Sequence, residues 1–296
     1  MHKENIDDLR KLFIGLDKKV NVDGKGRLIP INFDNAATTP PFKRVMKKVL
    51  ETSEYYGSIA RGDGKKSQYC SDLYDSSRKY ILEYFNAPED IYTAIFVGNT
   101  TDGLNKLSNI LIESKEDIVI TTRMEHHSND LPWRNKCDLK HVEVDKDGRI
   151  KVEDIEELLD KYQEKVKYVT VTGASNVTGY VNDIRRIAKA THRYGAKIIV
   201  DGAQLIPHKK ISMIQDDITE NIDFLVFSGH KIYAPFGSGV IIGLRKIFNE
   251  KDPASSGGGT VQIVLDERQL WLDTPEKNEA GTPNLFGAIS IAEALK

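Results

Sequence analysis

The stretch Asp223-Phe-Leu-Val-Phe-Ser-Gly-His-Lys231 decides the fold class of this chain. Its apolar run, Phe224 to Phe227, is typical of a short buried strand, and the polar residues after it end that strand abruptly. A second apolar run, Val240-Ile-Ile-Gly243, follows a loop rich in small residues. Lys231 is therefore predicted to stand between two buried strands. Partial burial lowers the pKa of an ammonium group and frees the amine to form a Schiff base with an aldehyde, although many lysines at strand ends are only surface charges.

A second segment has the same pattern of a short apolar run followed by polar residues: Lys197-Ile-Ile-Val-Asp201-Gly-Ala-Gln204. Here an acid, Asp201, stands at the end of the predicted strand. A buried carboxylate in that place can keep a pyridinium nitrogen protonated. Pyridoxal 5′-phosphate (PLP) needs such an acidic partner to act as an electron sink. The pair Asp201 and Lys231 therefore favours PLP chemistry over a surface role for the lysine.

A candidate anion site lies in Gly98-Asn-Thr-Thr-Asp-Gly-Leu-Asn105, between a predicted strand (91–97) and a predicted helix that runs to residue 112. A glycine followed by hydroxyl residues at such a junction points backbone N–H groups, and the positive end of the helix dipole, at an anion. Simple N-capping by Thr100 or Thr101 is the alternative. The Asp–Lys pair downstream favours phosphate binding, but this is not a P-loop, because the GK[ST] element is missing.

Predicted strands and helices alternate from residue 91 to residue 243, which indicates an α/β fold with a mainly parallel sheet covered by helices on both faces. The clearest predicted elements are a helix over 152–162 and strands over 166–172 and 197–201. Residues 32–40 are predicted to form a brief strand that enters a turn. The candidate residues fall at the carboxyl ends of strands, where ligands bind in open α/β sheets.

Composition excludes several classes of protein. The 296 residues contain 42 Lys and Arg against 44 Asp and Glu, which argues against a nucleic-acid binder. Hydrophobic residues make up 40%, enough for a globular core, and no apolar run approaches the ~20 residues of a membrane span. The two cysteines, Cys70 and Cys137, form neither a disulfide framework nor a metal motif, so we expect no bound metal and a cytoplasmic location.

The chain resembles the class V aminotransferase-type PLP enzymes of fold type I, and within them the cysteine desulfurase and selenocysteine lyase branch. Eight segments carry the resemblance in the family's order: NFDNAATTP, GNTTDGLN, MEHHSNDLPW, GASNVTG, VDGAQ, SGHK, GGGTV and EAGTPN. It implies an N-terminal segment (1–30), a PLP-binding large domain (31–284) and the start of a connecting helix (285–296). Family members continue beyond that helix into a smaller domain, so we expect a fragment that lacks the C-terminal small domain.

The resemblance also implies roles for individual residues. Lys231 would hold PLP as a Schiff base and remove the α-proton of the substrate. His126 would stack on the ring and take part in proton transfer, although a lone histidine is usually structural. The other implied cofactor contacts are Thr100, Thr101, Ser228 and His230 to the phosphate, Asp201 to the ring nitrogen, Gln204 to the pyridoxal hydroxyl, and Asn176 to the O3′ side and the substrate carboxylate region.

One further contact is implied for a second chain. In relatives a Gly-Gly-Gly loop reaches across a dimer interface, and Thr260 is the candidate hydroxyl for the partner's PLP phosphate. A plain flexible loop is the alternative there, just as a simple turn former is the alternative for Asn176.

The implied function is a PLP-dependent, cysteine desulfurase-like enzyme that releases sulfur or selenium from a small amino acid. A class V aminotransferase or another carbon–sulfur lyase is the alternative among PLP enzymes, and a non-catalytic scaffold is the alternative from another class. Cys70 and Cys137 match no family nucleophile, so we expect this fragment to bind PLP at most. The implied partners are a second copy and a sulfur-acceptor protein, with no nucleic acid and no membrane.

Overall fold

A computed structural model describes residues 6–59 and 62–296 of the chain. The helices in these residues are α1 (Ile6–Arg10), α2 (Lys43–Ser53), α3 (Lys65–Tyr84), α4 (Thr100–Leu111), α5 (His127–Asp130), α6 (Val152–Tyr162), α7 (Ile184–Arg193), α8 (Arg245–Glu250) and α9 (Leu285–Leu295). The strands are β1 (Val20–Val22), β2 (Gly26–Leu28), β3 (Tyr92–Val97), β4 (Ile118–Thr122), β5 (Asp138–Val142), β6 (Val166–Thr172), β7 (Lys197–Asp201), β8 (Phe224–Ser228), β9 (Gly239–Leu244), β10 (Val261–Val264) and β11 (Gln269–Trp271).

The centre of the molecule is a seven-stranded sheet in the order β3-β9-β8-β7-β6-β4-β5. Only β9 runs against its neighbours, β3 and β8, and the pairs from β8 to β5 are parallel. Strands β4 and β8 are buried along their whole length, as expected for a parallel sheet with helices on both faces. The predicted α/β fold with a mainly parallel sheet is confirmed.

Alternate strand residues build two separate cores, because successive side chains point to opposite faces of a sheet. On β8, Leu225 and Phe227 join the core under α3, α6, α7 and α9, whereas Phe224 and Val226 join the core under α4 and α8. Gly103 lets α4 approach β8 closely, since a Cβ there would lie 2.6 Å from Val226 Cγ1. This contact places the N-terminus of α4 beside the end of β8.

Most predicted elements agree with the structure, and α6, β6 and β7 have the predicted bounds. The strand predicted within residues 32–40 is wrong, because that segment is irregular. Its polar side chains bond to nearby backbone instead: Asn32 Oδ1 accepts from Asp34 N (2.8 Å), and Asp34 Oδ1 accepts from Ala37 N (3.3 Å). Such local bonds compete with a strand ladder.

The predicted N-terminal segment (1–30) contains α1 and an unpredicted β1–β2 hairpin, and its residues 1–5 lie outside the described part of the chain. None of the described helices has both the length and the apolar character that crossing a bilayer requires.

Candidate active site

A cleft of about 600 Å³ opens at the carboxyl ends of the central strands, where Asp34, Ala36 and Ala37 of the irregular segment also line it. Parallel strands present their carboxyl ends at one edge, so residues that follow different strands meet there. The predicted site residues that line this cleft are Thr100, Thr101, His126, Asn176, Asp201, Gln204, Ser228, His230 and Lys231. The topology therefore brings together all but one of the residues singled out in the sequence.

Asp201 ends β7, and its side chain is buried. Its Oδ1 accepts a hydrogen bond from Ala203 N at 2.9 Å. Burial raises the pKa of the Asp201 carboxyl, while that hydrogen bond and the positive charge of Lys231 oppose the rise. Burying the ionised carboxylate of Asp201 without a charged partner costs free energy, and a cation in contact with it would offset that cost.

Lys231 lies in a short 3₁₀ turn, Gly229–Lys231, directly after β8. It is half-buried. Burial lowers the pKa of its ammonium group, and the charge of Asp201 opposes this only in part. The neutral amine, which is the nucleophilic form, is therefore more populated than on a surface lysine.

The irregular segment is bonded to the lysine turn and to the turn that follows β7. The carbonyl of His230 accepts from Thr39 N (3.0 Å) and from Thr39 Oγ1 (2.9 Å), and His230 Nδ1 lies 3.1 Å from Thr38 Oγ1. Gln204 Nε2 donates to the carbonyl of Ala36 at 2.7 Å. Burial and the neighbouring Lys231 charge lower the pKa of His230. These bonds hold one wall of the cleft against Lys231.

Hydroxyl groups gather where α4 begins. Asn99 caps this helix, with Oδ1 accepting from Asp102 N at 2.9 Å, so capping by Thr100 or Thr101 is wrong. Ser228 Oγ lies 2.7 Å from both the N and the Oγ1 of Thr100. The threonine hydroxyls are therefore not used as caps and lie at the positive end of a helix, where an anion is favoured.

His126 caps the single turn of α5 with its ring, and Nδ1 accepts from Ser128 N at 3.1 Å. The Ser128 hydroxyl lies 2.9 Å from the same nitrogen and 2.7 Å from Thr101 Oγ1. Ser128 also lines the cleft, although it was not among the predicted site residues. Its only sequence signal is its place two residues after His126.

Glu125 was also missed. Its carboxylate accepts from Thr122 Oγ1 (2.7 Å) and Asn129 Nδ2 (2.6 Å), directly beneath the histidine turn. Burial raises the pKa of Glu125 to about 8, hydrogen bonds oppose this, and the charge of Asp201 adds to it. An acid beside two histidines gives no sequence signal of burial, because its partners lie on other turns and strands.

Two predicted residues differ from the rest: Asn176 is exposed at the cleft, and Thr260 lies outside it. Asn176 lies on the turn after β6, which Ser175 Oγ shapes by accepting from Val177 N and Thr178 N at 3.2 Å. Thr260 is buried in its own loop, where its hydroxyl donates to Gly257 O at 2.7 Å, and it does not line the cleft. Its contact with a second chain stays a prediction, and this hydroxyl is not presented outward as the loop stands.

Neither cysteine lines the cleft. Cys70 is a buried residue of α3, and Cys137 is half-buried, where burial raises the pKa of its thiol to about 11. In the described ranges, no three His, Cys, Asp or Glu side chains are grouped so as to hold a metal ion. The groups that line the cleft instead include Lys231, Asp201, His126 and the hydroxyl groups of Thr100, Thr101, Ser128 and Ser228.

Known proteins resemble this chain over nearly its whole length. A probable cysteine desulfurase from Borreliella burgdorferi is 34% identical, over 99% of this chain and 70% of the relative. A probable cysteine desulfurase from Staphylococcus aureus (strain Mu50) is 35% identical, over 100% of this chain and 70% of the relative. The chain thus spans about 70% of the length of these curated relatives.

Solved structures of cysteine desulfurases are also similar to this chain. The apo cysteine desulfurase from Thermococcus onnurineus NA1 has a TM-score of 0.80 and 32% identity, over 89% of this chain and 66% of that one. The cysteine desulfurase CsdA from Escherichia coli has a TM-score of 0.80 and 27% identity, over 99% of this chain and 71% of that one. The family model for class V aminotransferases matches residues 31–296. The chain belongs to the class V aminotransferase family and, within it, to the cysteine desulfurase branch.

Proposed function

We propose that this chain carries the cofactor-binding part of a PLP-dependent, cysteine desulfurase-like enzyme. The observation that supports this most is the pair at the strand ends. A buried carboxyl group, Asp201, and a half-buried amine, Lys231, face the same cleft, and each affects the pKa of the other. A non-catalytic scaffold has no need of such a costly pair.

The residues of the cleft fit PLP at both ends of the molecule. Asp201 has a carboxyl oxygen not taken by Ala203, and a pyridinium nitrogen is the cation that would offset its burial. The hydroxyl groups of Thr100, Thr101 and Ser228 lie at the N-terminus of α4, which suits a phosphate. When bound, PLP supplies an electron sink for the carbanion formed at the α-carbon of an amino acid.

Residues of this chain would bind the cofactor, move the α-proton and position the substrate. Lys231, with its lowered pKa, is suited both to bind the aldehyde carbon and to accept the α-proton at Nζ. His126 presents its ring to the cleft for stacking on the cofactor, with Nδ1 held by Ser128. Gln204 lines the cleft while its Nε2 donates to the carbonyl of Ala36, and the exposed Asn176 lines the cleft where a substrate would enter.

Release of sulfur needs a further nucleophile. Neither Cys70 nor Cys137 lines the cleft, and burial keeps the Cys137 thiol protonated at neutral pH. We therefore expect the chain as it stands to bind PLP and to activate the α-hydrogen of an amino acid, without efficient release of sulfur from cysteine. A small amino-acid substrate, a homodimer, a sulfur-acceptor protein and a cytoplasmic location belong to the same proposal.

The test is covalent labelling of the full chain with PLP, followed by borohydride reduction and peptide mapping. The label is expected on Lys231, with Lys231→Ala unlabelled and the exposed Lys246→Ala labelled like the wild type. Exchange of the α-hydrogen of L-alanine in D₂O is expected in the labelled wild type before reduction. A chain that takes up no PLP would favour the scaffold. Transfer of the amino group to a keto acid would favour the aminotransferase.

A further inference from the structure

The Ser128 hydroxyl joins the phosphate end of the cleft to the ring of His126. It lies 2.7 Å from Thr101 Oγ1 and 2.9 Å from His126 Nδ1. The backbone N–H of Ser128 also donates to Nδ1, at 3.1 Å. A backbone N–H is only a donor, so Nδ1 must be the nitrogen without hydrogen, and the neutral ring carries its hydrogen on Nε2.

Neither hydroxyl is needed to cap a helix. The cap of α5 uses the backbone N–H of Ser128, and the cap of α4 uses Asn99. The Thr101 and Ser128 hydroxyls are therefore left to bond to each other, to His126 and to a group in the cleft.

Each hydroxyl has one hydrogen, so the chain of three groups has two arrangements. In the first, Thr101 donates to Ser128, and Ser128 donates to His126 Nδ1. In the second, Thr101 donates to an anion in the cleft, Ser128 donates to Thr101, and Nδ1 keeps only the backbone donor. An anion that accepts a hydrogen bond from the Thr101 hydroxyl requires the second arrangement, since that hydroxyl has only one hydrogen to donate.

We propose that Thr101, Ser128 and His126 form a hydroxyl relay that reverses when a phosphate group binds at the N-terminus of α4. The inference rests on the proposed function, because it takes Thr101 as a phosphate ligand. Only O–H bonds rotate, so no proton changes its oxygen and no covalent bond is made or broken. Ser128 is then a positioning residue, through which occupancy of the phosphate end changes the hydrogen bonding of the ring that faces the cofactor.

The experiment is a titration of the full, unloaded chain with inorganic phosphate, with the His126 ring nitrogens observed by ¹⁵N NMR and phosphate binding observed by ³¹P NMR. In the wild type, phosphate is expected to bind and to shift the Nδ1 resonance, while Nε2 keeps its hydrogen. Ser128→Ala retains the backbone donor, so α5 keeps its cap. It is expected to bind phosphate roughly twofold to tenfold more weakly and to lose the Nδ1 shift.

Two variants control for simple loss of structure. Ser128→Thr keeps a hydroxyl and is expected to keep the Nδ1 shift. Ser76→Ala, whose hydroxyl bonds only to Leu73 O on the exposed side of α3, is expected to behave as the wild type. If Ser128→Ala does not fold, Thr101→Val serves instead, because it keeps the side-chain shape and removes the anion end of the relay.

The outcomes separate the two proposals. Phosphate binding without an Nδ1 shift in the wild type, or a normal shift in Ser128→Ala or Thr101→Val, overturns the relay and leaves the PLP site intact. A chain that binds no phosphate overturns the relay together with the phosphate contacts assigned to Thr100, Thr101 and Ser228.

Discussion

Arg78 and Glu279 form a two-pronged ion pair inside the molecule, with Nη1–Oε1 and Nη2–Oε2 distances of 2.8 and 3.0 Å. Their side chains are only 12% and 9% exposed. The same carboxylate accepts from the Tyr74 hydroxyl (2.8 Å) and from Phe96 N (2.6 Å). Glu279 begins the segment that ends at Asn284, whose amide donates to the carbonyl of Phe236, beside the cleft. The pair therefore holds a wall of the site in place.

Glu279→Ala is expected to lower the free energy of unfolding by about 3–5 kcal/mol, because it leaves a buried guanidinium, a hydroxyl and an N–H group without their acceptor. Urea denaturation measures the loss. Glu51→Ala breaks the exposed Lys47–Glu51 pair (3.7 Å) and is the matched control, with an expected loss below about 0.5 kcal/mol. Equal losses in the two variants would show that the buried pair contributes no more than a surface pair.

The sheet, the helices around it and the edge that carries the site could be predicted from the sequence, because strong apolar periodicity and the alternation of strands and helices determine them. The Arg78–Glu279 pair could not, since its members lie far apart along the chain. Glu125 and Ser128 were missed for a different reason: apart from Thr101, their bonding partners lie within four residues along the chain, but spacing alone does not show that these side chains bond to one another. The strand predicted within residues 32–40 is wrong because Asn32 and Asp34 bond to nearby backbone N–H groups, which spacing along the sequence does not show.

Glu125→Gln is expected to stabilise the chain at pH 8 and to have much less effect at pH 4. The wild-type carboxyl has a pKa of about 8 in the folded chain and about 4.3 when unfolded, so between these values the folded chain binds the extra proton. Stability then falls as pH rises through this window, and the variant lacks that slope. Glutamine can still accept from Asn129 Nδ2 through its Oε1 and can donate from its Nε2 to Thr122 Oγ1.

Urea denaturation of the Glu125 variant at pH 4, 6 and 8 measures this difference. Glu143→Gln changes an exposed carboxylate and is expected to follow the wild type at each pH. A wild-type curve that stays parallel to that of Glu125→Gln would mean that the pKa of Glu125 does not change on folding.

His192 is expected to stabilise the fold at low pH and to lose that effect as pH rises. Nδ1 lies 2.7 Å from the carbonyl of Thr219, and Nε2 lies 2.7 Å from Asp223 Oδ2. Both partners are acceptors, so the ring must carry two hydrogens. Burial opposes its charge, as does Lys197, but the hydrogen bond and charge of Asp223 and the carbonyl of Thr219 outweigh them and raise the pKa of His192.

A folded-state pKa above the unfolded value of about 6.5 means that the stabilisation is complete below pH 6.5 and disappears as pH rises through the raised pKa. His192→Gln is therefore expected to be destabilising at pH 6 and progressively less so toward pH 9, as measured by urea denaturation. The exposed His208→Gln is the control and is expected to show no such trend. A destabilisation of His192→Gln that does not change with pH would exclude a charged ring.

Asp201→Asn is expected to stabilise the unloaded chain while weakening PLP binding. Burial raises the pKa of the carboxyl, so its ionised form opposes folding, and the amide keeps the Oδ1 acceptor for Ala203 N. A gain of roughly 0.5–2 kcal/mol at pH 8 is typical when a strained active-site group is replaced. Loss of the charge-assisted bond to the ring nitrogen is expected to weaken PLP binding roughly tenfold to a hundredfold. Thermal unfolding without PLP and spectroscopic titration with PLP measure the two effects, with the exposed Asp147→Asn as control. If Asp201→Asn binds PLP as tightly as the wild type, the carboxyl group does not face the ring nitrogen.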